Sequence, residues 1–137
     1  MQRSTELTPL SREHHQALAL ALRLRRCDAD DVPVLRADAG AFWRDEARAH
    51  FRAEEEIVLP AAAAHIPPDD PDVVRVLVEH VWLRQAFLGV ADTAAGDLRA
   101  LGALLHDHVR HEERVLFPRI EAALAPDELA ALGTALA

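Results

Sequence analysis

One short pattern occurs twice along this chain. His50, Arg52, Glu54, Glu55 and Pro60 recur at a constant offset of 58 as His108, Arg110, Glu112, Glu113 and Pro118, and the three residues before each proline are apolar in both copies. A histidine and a glutamate four apart stand on one helical face, one turn above the other. Two antiparallel helices carrying this pair can therefore aim two imidazoles and two carboxylates at one point. Each copy is preceded by a Glu-His pair, Glu13-His14 and Glu79-His80. A lone His-x-x-x-Glu is common on solvated helix faces, whereas this ordered double set is not, and it makes His14, His50, Glu54, His80, His108 and Glu112 candidate metal ligands.

The punctuation of the chain supplies the helices that the pattern needs. Pro9 suits the first turn of a helix running to about Cys27, before the acidic break at Asp28, Asp30 and Asp31. A second helix runs from about Pro33 to His65, kinked at Pro60, and the segment from Ile66 to Pro71 breaks it. Asp70 and Pro71 cap and open a third, ending near Ala91, and a fourth runs from between Ala94 and Asp97 to about Ala123. Pro126 then opens a short fifth. With five glycines, no tyrosine and half of its 137 residues hydrophobic, the chain reads as one all-α domain over residues 1–137. Its short loops give an up-down-up-down four-helix bundle with a short C-terminal helix.

The candidate ligands lie inside apolar stripes at helical spacing. These are Leu10, His14, Leu18, Ala21 and Leu24 on the first helix, and Trp43, Ala47, His50, Glu54, Ile57 and Ala61 on the second. The third carries Val73, Val76, Leu77, His80, Arg84, Phe87 and Leu88, and the fourth Leu101, Leu104, Leu105, His108, Glu112 and Val115. Burying unpaired carboxylates and imidazoles costs several kcal/mol unless something satisfies them. At 1.5 Å rise per residue, His14, His50, His80 and His108 each lie roughly 15–25 Å from the nearest chain reversal, so the bundle brings them to one level.

Four imidazoles and two carboxylates suit iron, manganese or zinc; copper(I) would favour sulfur, and calcium would want oxygen alone. Six donors exceed a closed tetrahedral zinc and do not saturate two octahedral ions. The economical arrangement is two metals, one on His14 and His50 and the other on His80 and His108, with Glu54 and Glu112 bridging. Places then remain for a bridging oxide or hydroxide and for an exogenous ligand.

The formal net charge of −8 and the lack of a basic stripe exclude a nucleic-acid partner and give no support to an anionic membrane surface. A single cysteine, Cys27, rules out an intrachain disulfide and a Cys-x-x-Cys site, which places the chain in a reducing cytoplasm. No apolar run reaches membrane-spanning length.

On the paired His-x-x-x-Glu-Glu with its trailing proline, the chain from about His14 to Pro118 resembles the hemerythrin-like, or HHE cation-binding, family of four-helix bundles. The resemblance implies two non-haem iron ions held by His14, His50, Glu54, His80, His108 and Glu112, and a small diatomic or peroxide ligand. Oxygen-carrying hemerythrins have a fifth histidine four residues after the one matching His80, where this chain has Arg84. They also place an aspartate five residues after the last histidine, where this chain has Glu112 at four. The departures turn the resemblance away from reversible oxygen carriage, toward sensing of oxygen or nitric oxide, peroxide responses and iron handling. A di-iron enzyme that dismutes hydrogen peroxide or oxidises ferrous ion is the alternative. No general base is legible, so no residue is assigned a catalytic role.

The other polar residues carry plainer expectations. Arg84 is expected to ion-pair with an acidic group, since it can neither ligate a metal nor accept a proton. His15, His65, His106 and His111 are expected at the surface. Glu55, Glu56 and Glu113, together with Glu13 and Glu79, are expected at the surface or behind the ligands, Glu13 and Glu79 being able to accept a proton from a neighbouring imidazole. Trp43 and Trp82 are expected as core or bundle-edge anchors. With equal donor sets, small ligands are expected to approach either ion, and the metal-free form is expected to weaken as its histidines protonate below about pH 6.

Overall fold

The computed structural model describes residues 2–137, all helix and turn. Helix α1 spans Thr8–Arg25 with Pro9 in its first turn. A continuous helical run, α2, covers 32–62 and contains two π turns, Trp43–Ala47 and Glu54–Val58. Helix α3 is Pro71–Leu88, opened by Asp70, whose carboxylate accepts from the Asp72 amide at 2.9 Å. Helix α4 covers 95–123 and contains a third π turn, Glu112–Leu116. Helix α5 is Pro126–Leu136. Single 3-10 turns, Ala29–Asp31 and Val90–Asp92, sit in two of the connections. None of the described helices is long and apolar enough to cross a membrane.

Two of the π turns begin at Glu54 and Glu112, the matching carboxylates of the repeat. In each, an amide reaches back five residues: Leu59 donates to the Glu54 carbonyl and Phe117 to that of Glu112. The following residue is Pro60 or Pro118, which has no amide hydrogen and whose ring would crowd the carbonyl of the preceding turn in a regular helix. The wide turn takes up that conflict and the helix continues. It also shifts the helical register, so the buried residues beyond Glu54 and Glu112 are Val58, Ala62 and Leu116. Ile57 and Ala61, read as inward from the sequence, are only half-buried, and Val115 is exposed.

Two apolar clusters flank the middle of the bundle. One contains Leu20, Leu24, Trp43, Phe87, Leu98 and Leu105; the other contains Leu10, Val58, Ile66, Val76, Phe117 and Ile120. The polar ligand candidates lie between these clusters, which set the helices and keep bulk water from both ends. Two inward assignments are corrected: Leu88 is exposed at the last residue of α3, and Trp82 is an exposed side chain rather than an anchor.

Helices α1 and α4 approach each other closely at Gly102. A Cβ there would come within 2.8 Å of the Ala21 carbonyl oxygen, the Arg25 nitrogen and the Leu24 Cβ. The ordinary helix-propensity gain of Gly→Ala, about 1 kcal/mol, is smaller than an overpacking cost that reaches ~3 kcal/mol. Gly102→Ala is therefore expected to lower the unfolding free energy by about 1–2 kcal/mol in a denaturant titration. An unchanged midpoint would mean that the two helices separate freely at this crossing.

Candidate metal centre

The structure brings the six sequence-nominated residues together in the middle of the bundle, all buried. They form two quartets that share both carboxylates. One is His14, His50, Glu54 and Glu112; the other is Glu54, His80, His108 and Glu112, and within each the donor atoms lie within 4.8 Å of one another. His50 Nε2 lies 3.3 Å from Glu54 Oε2, and His80 Nε2 lies 3.2 Å from Glu54 Oε1. His108 Nε2 lies 2.5 Å from Glu112 Oε1, and His14 Nε2 lies 3.9 Å from both Glu54 Oε2 and Glu112 Oε2.

Each imidazole is held from behind by a different glutamate. His14 Nδ1 donates to Glu113 at 2.8 Å, His50 to Glu13 at 3.3 Å, His80 to Glu55 at 2.6 Å and His108 to Glu79 at 3.0 Å. A carboxylate can only accept, so the proton of each neutral ring sits on Nδ1 and the Nε2 lone pair points inward. His14 and His50 present their Nε2 atoms to each other at 3.1 Å with no hydrogen between them in this tautomer. Both carboxylate oxygens of Glu54 and of Glu112, with Nε2 of His80 and of His108, are buried without a hydrogen-bond partner. Such a nest of buried electron pairs with no donor is the environment a cation satisfies. The two quartets fit a binuclear metal site.

Compared with known domain families, residues 5–120 match the hemerythrin HHE cation binding domain. The chain belongs to that family. Neither the curated proteins nor the solved structures compared with it gave a match.

In this HHE domain the position after His80 by one helical turn is occupied by Arg84, which points away from the donors. Its guanidinium binds Glu55 through two nitrogens, at 2.8 and 3.0 Å, and its centre lies 5.8 Å from the Phe51 ring centroid. Arg84 thus holds the glutamate that holds His80, the ion-paired role expected of it. Three of the four supporting glutamates have such a cation: Glu55 has Arg84, Glu79 has Arg75 at 3.3 Å and Glu113 has Arg3 at 3.5 Å. Although burial opposes it, these hydrogen bonds and charges hold the Glu55, Glu79 and Glu113 carboxyls below the usual range.

Protons are the alternative occupants of the inward electron pairs. Burial alone would lower the histidine values, but the facing carboxylates overcome it. His80 is raised to about 10 by hydrogen bonds and charge from Glu112 and Glu54, and His108 to about 9 by Glu112. His50 is raised well above 6.5, chiefly by Glu54. Against its own burial, Glu54 is held well below 4.5, chiefly by His50.

The HHE domain has a cavity of about 20 Å³ against the centre, room for one water-sized molecule. Ala17, Ala47, Phe51, Leu105 and Val109 line it with His14, His50 and His108, and Glu13 and Glu46 stand at its rim. His80 is not among its walls; the Phe51 ring lies flat on that imidazole, centroids 4.0 Å apart. The cavity thus meets both quartets, through His14 and His50 on one side and His108 on the other. His111, expected at the surface, is buried, and its Nε2 donates to the Asp72 carbonyl at 3.2 Å, tying α4 to the first turn of α3. His15 and His65 are exposed as expected, with His65 bound to Glu128 at 2.9 Å.

Proposed function

We propose that this protein is an up-down-up-down four-helix bundle that carries a non-haem di-iron centre and binds or reacts with dioxygen, peroxide or nitric oxide. The antiparallel order is supported by ties between consecutive helices, such as Arg23 with Asp38 and Arg119 with Asp70. The observation that carries the reading is the pair of quartets sharing Glu54 and Glu112, with every inward donor buried. His14 and His50 would hold one ion, His80 and His108 the other, and the two carboxylates would bridge. The iron pair, when bound, supplies reversible one- and two-electron chemistry toward small oxidants. The chain holds it in a dry apolar enclosure, fixes each imidazole through Glu13, Glu55, Glu79 or Glu113, and admits only a small molecule. The unpaired, buried Cys27 favours a reducing cytoplasm as the compartment.

Protein from iron-supplied cells is expected to carry about two iron ions per chain. Metal analysis together with an optical spectrum checks this; one tightly bound ion in the fully loaded protein, or a colourless zinc form under the same conditions, sinks it.

Access through the cavity gives a separate test. Ala47→Leu fills the cavity space beside His50 without replacing any proposed ligand, and should slow the reaction of the reduced protein with oxygen or nitric oxide at least tenfold while leaving metal content unchanged, since about one molecule's room is lost. Stopped-flow traces indistinguishable from the unmodified protein would show that ligands enter elsewhere. The acidic rim at Glu13 and Glu46 supports a second reading, oxidation of ferrous ion drawn to that mouth. Steady-state ferrous oxidation that continues after two equivalents per chain would favour it.

A further inference from the structure

The outward face of α3 has no partner within the chain. Val74, Val78, Val81, Trp82 and Leu88 are 42%, 40%, 62%, 54% and 75% exposed, while Val73, Val76, Leu83 and Phe87 on the other side of the helix are buried. Val74, Val78, Val81, Gln85 and Leu88 follow one another at alternating steps of four and three. That is the spacing of a coiled-coil seam, and it gathers the exposed apolar residues into one stripe instead of scattering them. The face also carries no uncompensated charge. Between residues 73 and 90 the acidic and basic side chains are Arg75, Glu79 and Arg84, with Arg75 paired to Glu79 and Arg84 to Glu55. On a chain of net charge −8, this is a surface on which two copies meet without like-charge repulsion.

We propose that this face is the interface of a homodimer, in which α3 packs antiparallel against α3 of a second copy about a two-fold axis near Val81 and Trp82. The stripe is symmetric about that point: Val74 lies seven residues before Val81 and Leu88 seven after. A two-fold axis there lays the Val74 end of one helix on the Leu88 end of the other and brings Val81 and Trp82 of the two copies together, with Val78 meeting the uncharged Gln85, an isologous contact. Trp82 stands beside the axis, the central position in which a large aromatic contributes most to an interface. The five side chains expose on the order of 500 Å², which with their polar rim approaches the ~800 Å² per partner of a standard interface. No residue of α3 lines the cavity at the metal centre, so the dimer leaves that entrance open.

Sedimentation equilibrium of the full chain at micromolar concentration tests this. The unmodified protein is expected to show twice the chain mass, and a Val81→Glu, Trp82→Glu variant the single chain mass, with helical circular dichroism and metal content unchanged because both side chains are exposed. In a Cys27→Ser background, Val81→Cys is expected to form a disulfide-linked dimer under mild oxidation, whereas Ala100→Cys, exposed on α4, is not. A monomeric unmodified protein, a dimer that survives the double substitution, or equal crosslinking at the two cysteine positions overturns the proposal. Should the double variant unfold, the crosslinking comparison decides alone.

Discussion

Glu54→Ala is expected to empty both metal positions at once. Glu54 belongs to both quartets, and its two oxygens face different histidines: Oε2 lies near His14 and His50, and Oε1 near His80. Removing it takes a donor from each ion and leaves facing imidazoles without the charge between them. His14→Ala removes a donor from one quartet only, so that variant should retain about one ion per chain. Substitutions behind the donors should act more gently: loss of the carboxylate in Glu113→Gln is expected to weaken metal affinity about 10–100-fold rather than abolish it. Metal content after gel filtration separates these cases. Retention of one tightly held ion in Glu54→Ala would show that the carboxylate serves a single position and that the shared arrangement is wrong.

The second large effect is a change in how pH acts on the protein once metal is removed. His50, His80 and His108 all have raised values in the metal-free fold, the latter two at about 10 and about 9 against 6.5 unfolded. Their stabilising contribution is therefore fully present below 6.5 and is lost as pH rises through the folded values, by an amount on the order of several kcal/mol. Glu54, Glu55, Glu79 and Glu113 are shifted down from 4.5, so their contribution is present above 4.5 and fades as pH falls through the folded values. Metal-free protein should thus be most stable between about 4.5 and 6.5 and should melt progressively lower toward pH 9. This reverses the sign of the expectation drawn from the histidine content alone, because the inward carboxylates make protonation favourable. Bound metal needs unprotonated imidazoles, so its added stability, ~4 kcal/mol at a thousandfold excess over Kd, should grow with pH. Calorimetry of chelated and loaded samples from pH 5 to 9 tests this directly. A chelated form that melts highest at pH 9, or a gap between the two forms that narrows with rising pH, contradicts it.

The convergence of the six candidate donors was legible in the sequence because their pattern was written twice and because few residue types can serve. Helix boundaries were legible for a similar reason: Pro9, Pro71 and Pro126 open helices, and Asp70 caps one with a side chain that has few other uses. The π turns were not legible. Apolar spacing around Glu54 fits Ile57 as well as Val58, and only the backbone bond from Leu59 to the Glu54 carbonyl settles which of them faces inward. Which glutamate supports which histidine was also hidden, because it depends on how far apart and how rotated the helices are. A stripe count likewise placed Leu88 inside and His111 outside, whereas α3 ends at Leu88 and a carbonyl in its first turn supplies the buried His111 with a partner.

The support of the four imidazoles has a reciprocal wiring. Within each Glu-His, loop, His-Glu-Glu unit, the first helix serves its own second helix: Glu13 binds His50, and Glu79 binds His108. The second helix serves the other unit, with Glu55 bound to His80 and Glu113 to His14. Each half of the molecule therefore keeps one acceptor for itself and lends the other away. A half-length chain could present two histidines and a carboxylate, but one of its imidazoles would rotate freely, and one of its glutamates would have nothing to orient. Under the proposed two-ion filling this wiring would link the halves: an ion held by His14 and His50 would also fix Glu113 and Glu13, and Glu113 lies on the helix that carries His108 and Glu112.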